Sequence, residues 1–171
     1  MLNFQSSMFN FHFSDPGKIK ISALPIVFCF FLYSCSTVDL YEKNVSFPNH
    51  EWRGDYKPEF NFIISDTLSL YQVFLVLRHS EKYNYNNIWI NLYSQPPGDT
   101  LHKAQYEIRL ATNEKGWLAS GIDDIYEHRQ PLTGKFRFLK AGTHKLILEN
   151  IMREDPLQHV LNAGIRIEKV P

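Results

Sequence analysis

Cys35 closes the run Phe30-Phe31-Leu32-Tyr33-Ser34-Cys35, and none of the residues after it is a cysteine. A thiol in that position could be a buried apolar group, a nucleophile, a metal ligand or a point of lipid attachment. The other cysteine, Cys29, lies within the apolar run, so no disulfide framework is available to the rest of the chain. Ile21 to Tyr33 is 13 residues without a charge, and Lys18 and Lys20 precede it. A spanning helix needs about 20 apolar residues, so the run is too short to cross a bilayer. A basic flank, a short apolar stretch and a small residue at the cut describe a secretory signal peptide. Here the small residue is Ser34.

Leu32-Tyr33-Ser34-Cys35 resembles the lipobox of bacterial lipoproteins: an aliphatic residue, a small residue and then the acylated cysteine. Tyr33 is bulkier than the usual choice. An ordinary signal peptide cut elsewhere, or a core strand, are the other readings. If Cys35 is acylated, each buried acyl methylene contributes about 0.8 kcal/mol, and two or more chains hold a protein on a membrane stably. The expected organisation is a cleaved signal peptide over 1–34, a lipid-anchored polar tether over 35–45 and one domain over 46–171. Ser36 is not the aspartate that retains lipoproteins at the inner membrane in some bacteria. The outer membrane is therefore the expected address.

Other residues that could do chemistry are scattered. His50, His79, His102, His128, His144 and His159 follow the signal region, and none is two or four positions from another. No HxH or HExxH metal pair exists, and no metal or other cofactor is expected. There is no GxSxG elbow for a serine nucleophile. The adjacent carboxylates Asp123-Asp124 and Glu154-Asp155 fit solvated turns better than an acid–base pair, and no catalysis is expected. Aromatic residues are plentiful. Exposed Tyr83, Tyr85 and Trp117 form a candidate interaction surface, because such rings could stack on the C–H face of a sugar. Trp117 follows Gly116 in an expected loop and is the best single candidate, whereas Trp89 is expected to help fill the core.

Positioning these residues falls to strands. Val73, Leu75 and Leu77 alternate with their neighbours, as do Ile88, Ile90 and Leu92, then Tyr106, Ile108 and Leu110. The same beat returns at Phe136 and Phe138, Leu146 and Leu148, and Ile165 and Ile167. Period-two alternation marks half-buried strands. Turn residues separate them at Pro96-Pro97-Gly98-Asp99, Asn113-Glu114-Lys115-Gly116, Thr133-Gly134 and Ala141-Gly142. About eight strands so spaced predict an all-β fold, an antiparallel β-sandwich of jelly-roll type. The best helical candidate, Ala119 to His128, is a turn or two at most.

Charge adds an exclusion. Removing residues 1–34 takes two of the 18 basic and one of the 18 acidic residues, leaving a near-neutral domain. Nucleic-acid binding demands a basic face, so no nucleic-acid partner is expected.

Three stretches then resemble one family. "LRHSEKYNYNNIWINLY", "GWLASGIDDIYEHRQPL" and "AGTHKLILENIMREDPLQHVLNAGIRIEK" resemble the gliding motility lipoprotein GldH family of bacteroidete bacteria. Arg78, Asn87 and Trp89 match its central strand pair, Gly116, Trp117 and Gly121 its loop, and Asn150, Met152, Arg153 and Gly164 its closing segment. Ala111-Thr112-Asn113 departs from the acidic run usual before the loop. The resemblance implies a non-enzymatic, membrane-anchored lipoprotein that contacts other envelope proteins of the gliding and secretion machinery. The motif residues are structural in kind. A carbohydrate-binding sandwich serving polysaccharide or cell-wall attachment is the alternative function.

Overall fold

The computed structural model describes residues 40–171, so the signal region and Cys35 lie outside the described residues. Eight long strands form the body: β1 (Leu40–Ser46), β3 (Glu59–Ile64), β4 (Leu70–Ser80), β5 (Asn87–Gln95), β6 (His102–Arg109), β10 (Ile125–Pro131), β11 (Gly142–Asn150) and β13 (Val160–Val170). Five shorter ones decorate the loops: β2 (Glu51–Trp52), β7 (Ala111–Thr112), β8 (Gly116–Trp117), β9 (Ser120–Ile122) and β12 (Leu157–Gln158). A single turn of 3-10 helix, Pro48–His50, precedes β2.

One sheet has the order β1-β13-β4-β10-β9 and the other β3-β11-β5-β6, and every pairing is antiparallel. Counting only the long strands from one to eight, the sheets read 1-8-3-6 and 2-7-4-5. This is the interlocked strand order of a jelly roll. The alternation seen in the sequence is what the layers use. Val73, Leu75 and Leu77 of β4 face Ile88, Ile90 and Leu92 of β5, with Leu148 of β11 and Ile165 of β13 beside them, all buried. Burying one such side chain is worth roughly 1.5–3 kcal/mol, and with no disulfide to assist, this shared layer carries the stability. Trp52 and Phe47 stack at 4.9 Å and seal one end of it, with the Trp52 indole N–H donating to the Tyr56 carbonyl at 3.0 Å.

Three expectations are corrected. Phe136 and Phe138, which keep the strand beat, lie in the 132–141 connection, where Phe136 makes only an isolated bridge to Tyr71 and Phe138 is buried by packing on Phe62 and Tyr71. The polar tether over 35–45 is strand from Leu40 onward: β1 pairs with β13 from Leu40↔Glu168 to Ser46↔Asn162. Tyr41 and Val45 pack partly buried against the core, while Glu42 and Asn44 point outward, so the polar residues disguised one face of a strand. The helical candidate Ala119 to His128 is instead the β9–β10 hairpin, with Ile122 opposite Ile125 and Asp123 at φ 57° in the turn. Gly121 there leaves room for the Tyr126 ring, since a Cβ would lie 2.9 Å from it.

Gly164 is the tightest point in the fold. A Cβ there would meet the Asn44 Oδ1 at 2.0 Å and the Lys43 carbonyl oxygen at 2.4 Å. The backbone of β1 lies too close for any side chain. We predict that Gly164→Ala lowers the unfolding free energy by about 1–3 kcal/mol, the usual cost of overpacking. Gly134, with nothing within 4 Å of a Cβ, is the control. Gly134→Ala should stay within about 0.5 kcal/mol in the same urea titration. A Gly164→Ala variant as stable as this control would refute the role of the contact.

Candidate functional site

The sandwich has two distinct ends. At one, the loops after β1, β4, β6 and β11 converge, and there the expected aromatic residues come together. Tyr83 and Trp117 lie 6.3 Å apart and Tyr83 and Tyr85 lie 5.7 Å apart, ring centre to ring centre. They do not form an exposed platform. Tyr83 is buried at 4 % exposure and its hydroxyl donates to the Asn87 carbonyl at 3.1 Å. Burial pushes its phenol pKa up. Trp117, brought round by the β7–β8 hairpin with Gly116 at φ 64°, is half-buried and leans on the core. Conversely Trp89, expected inside, is 37 % exposed on the outer face of β5. The alternation had placed it opposite Ile88 and Ile90, and the structure follows the alternation.

At the centre of the aromatic group stands a pair that spacing alone does not reveal. His79 is ringed by Trp117 at 4.4 Å, His128 at 5.0 Å, Tyr83 at 5.1 Å and Tyr126 at 5.8 Å. Its Nε2 lies 2.9 Å from Nε2 of His128, and its Nδ1 lies 2.8 Å from the Ser80 carbonyl. A carbonyl only accepts, so Nδ1 of His79 carries the proton and Nε2 is a bare acceptor. His128 must then donate from Nε2, which leaves its own buried Nδ1 without a partner. Both imidazoles are neutral. Desolvation lowers the pKa of His79, and burial with the adjacent His79 lowers that of His128 to about 4. His79 continues the inward beat of Leu75 and Leu77, the one signal in the sequence that could have placed it inside.

The outer faces of the sheets are polar networks. On the first sheet Arg78 pairs with Glu127 at 3.2 Å and Glu127 with Arg129 at 2.8 Å. Arg129 reaches Glu42 at 3.5 Å, which also holds Arg166 at 2.6 Å, and Arg166 contacts Glu168. Arg129 and Glu42 sit on strands separated by β4 and β13, so the bridge passes over Val76 and side-chain-free Gly164. On the second sheet Glu149 accepts from Lys57 at 2.5 Å and from Asn91 and Tyr93 at 2.6 Å each. Burial alone would raise its pKa, but these three donors hold it at about 2. Asn87 donates to Glu107 at 2.7 Å. The Trp89 backbone N–H meets the Met152 sulfur at 3.3 Å, and Arg153 is exposed. Arg78, Asn87, Trp89 and Met152 thus bond across strands or loops.

Among the described residues the two adjacent carboxylate pairs lie in turns. Asp123 and Asp124 are exposed in the β9–β10 turn, and Asp155 accepts the Gly54 N–H at 2.8 Å. Among the described residues no three histidine, cysteine, aspartate or glutamate side chains converge as a metal site would require. The two histidines that do meet are bonded nitrogen to nitrogen.

Fold and site thus define a jelly-roll β-sandwich whose conspicuous residues serve packing. The chain belongs to the GldH lipoprotein family, whose model matches residues 39–167. It is 24 % identical over 160 residues to the gliding motility lipoprotein GldH homolog of Christiangramia forsetii, covering 89 % of this chain and 98 % of the relative. It is 22 % identical over 159 residues to the gliding motility lipoprotein GldH of Flavobacterium johnsoniae, with the same coverage. Solved structures resemble it only in outline. A non-crystalline cellulose specific carbohydrate-binding module gives a TM-score of 0.40 at 15 % identity, covering 72 % of this chain and 69 % of that one. The Yersinia pseudotuberculosis-derived mitogen gives 0.35 at 7 % identity, covering 78 % and 87 %.

The histidine pair sets a pH dependence. An unfolded imidazole titrates near pH 6.5, whereas folded His128 does so near pH 4, so between these values the unfolded chain binds more protons. Stability should be full above about pH 6.5 and fall as pH drops towards 4. Urea midpoints across that window measure it. His128→Gln, which keeps a donor for His79 but takes up no proton there, should flatten the decline. An equally steep decline in the variant would show that other groups cause it.

Proposed function

We propose that the domain is a non-enzymatic component of the gliding motility machinery, held by an acylated Cys35 in the outer membrane and acting through contacts with other envelope proteins. The observation that carries this reading is the family match, which runs over nearly all of the described domain. The geometry supports it. His79, His128 and His144 are engaged in packing, Asp123, Asp124 and Asp155 lie in turns and Glu127 and Glu149 in strand-bridging networks, while His102 and Asp99 pair at 3.7 Å on the surface. An anchor suits such a role because confinement beside partners raises effective concentration without any new contact. The glycan platform built from Tyr83, Tyr85 and Trp117 loses its footing, since it required exposed rings and Tyr83 is buried.

Deletion of the gene in a gliding host should abolish colony spreading, and restoration of the full-length gene should recover it. Spreading at the normal rate in the deletion would overturn the motility reading. Cys35→Ala should abolish lipid labelling, leave the precursor uncut and remove the protein from membrane fractions. A chain beginning after Val38 retains every strand of the described residues, because β1 starts at Leu40, and should melt at an unchanged temperature. Lipid labelling that survives Cys35→Ala would reject the assignment of the anchor. Sedimentation of the mature protein solely with inner-membrane markers would reject the outer-membrane address.

A further inference from the structure

The opposite end of the sandwich is built differently. β1 enters there, with Leu40 in register with Glu168 and Glu168 with Gln72. Three loops converge at the same end: 65–69 between β3 and β4, 96–101 between β5 and β6, and 132–141 between β10 and β11. Each carries one exposed leucine: Leu68 at 83 %, Leu101 at 46 % and Leu139 at 90 %. Loop 132–141 also carries Lys135, Arg137 and Lys140 and no acid. Arg137 donates from Nε to the Leu68 carbonyl at 2.9 Å, tying two of the loops together. Lys140 holds Asp99 of the third at 3.0 Å.

Between these loops the two sheets gape. Along the inner face of β6, Ile108 is buried, Tyr106 half-buried, and Ala104 and His102 exposed. The layer is therefore uncovered towards the loops. The resulting cleft has a volume of about 570 Å³ and is walled by Val73, Leu92, Leu146, Phe136 and Phe138. That size lies within the range of about 300–1,000 Å³ typical of small-molecule sites, which likewise join apolar walls to a few placed polar groups. Lys135, Arg137 and Lys140 line it from loop 132–141, Asp99 from loop 96–101, and His102 and Lys103 from the start of β6.

Position supplies the occupant. Cys35 precedes Leu40 by five residues, and five extended residues span at most about 18 Å. If Cys35 is acylated, the loop end must lie against the membrane. Exposed leucines beside lysine and arginine are the composition of an interfacial surface, with apolar groups at the acyl boundary and cations at anionic headgroups.

We propose that the cleft takes one acyl chain of an anionic phospholipid from the membrane, with the headgroup held at Lys135 and Arg137. The orientation rests on acylation of Cys35, whereas the chemistry of the cleft does not. A lipid so held would brace the domain upright on the bilayer and present the histidine-centred end outward.

The test uses the full chain purified in detergent. Phosphatidylglycerol carrying a diazirine at the acyl terminus is presented in mixed micelles, so delivery does not depend on the anchor. Acylation of Cys35 is read separately from the intact mass. After illumination and digestion, adducts are expected on wall residues such as Leu92, Phe136 and Leu146. Ala104→Trp, at an exposed position that fills the cleft, should abolish them. The pair Lys135→Glu and Arg137→Glu should lower the phosphatidylglycerol yield several-fold. That pair should leave the yield from a phosphatidylcholine probe unchanged. Adducts confined to Leu68, Leu101 and Leu139, or none at all on an acylated chain, would overturn the proposal. So would wall adducts displaced by an apolar peptide but indifferent to both variants, which would mark the cleft as a protein-docking groove.

Discussion

The antiparallel pairing of β1 with β13 is the contact from which the rest of the arrangement follows. It turns the polar stretch after Leu40 into an edge strand and brings the chain into the sandwich at its loop-rich, leucine-bearing end. It also fixes β13 as an interior strand, flanked by β1 and β4, so that Ile165 and Ile167 are covered within one layer. Gly164 lets the two strands approach this closely, since a Cβ there would clash with Asn44 and the Lys43 carbonyl.

The outer surface of that sheet shows how a near-neutral composition is used. Individual exposed ion pairs are worth about 0–1 kcal/mol, so the ladder from Arg78 through Glu127, Arg129 and Glu42 to Arg166 is a small energetic asset. Its service is cover. Val76 faces outward yet is fully buried, and it lies in register between Arg129 and Gly164, beside the Arg129–Glu42 pair. Charged side chains with long methylene stems can seal apolar surface while keeping their heads wet. The same chains crowd the open edge of β1, and the part of β10 beyond its pairing with β9, with charge, which discourages pairing with strands of other molecules.

Where burial alternates strictly, the strands were legible in the sequence. Val73, Leu75, Leu77, Ile88 and Ile90 announced their faces, whereas Phe136 and Phe138 kept the same beat in what is a loop joined to Tyr71 by a single bridge. Reading failed where burial is partial or supplied by distant residues. In β1 Tyr41 and Val45 contribute apolar contact among the described side chains, and the intervening Glu42, Lys43 and Asn44 read as a tether. In Ala119 to His128 the apolar positions mimic a helical turn, and only the Tyr126–Gly121 contact across the hairpin tells against it. His79 and His128 are 49 positions apart, so no spacing rule joins them, and their neutrality comes from the rings around them. Exposure of Tyr83 and Trp117 was equally beyond reach, because it depends on how the 81–86 loop folds back over β4.

Strand order carries a consequence for timing. The strand at the heart of the first sheet is the last of the eight in sequence, and β4 and β1 on either side of it precede it by scores of residues. Until β13 arrives, β4 lacks one neighbour and β1 lacks its only one. The penultimate long strand, β11, holds the matching place between β3 and β5. Contacts so distant in sequence form slowly, since loop closure precedes any reward. A chain threaded through a membrane from its amino end would therefore remain unfolded until its final strands emerged. Delayed closure of this kind keeps a lipoprotein compatible with transport, and the topology alone enforces it.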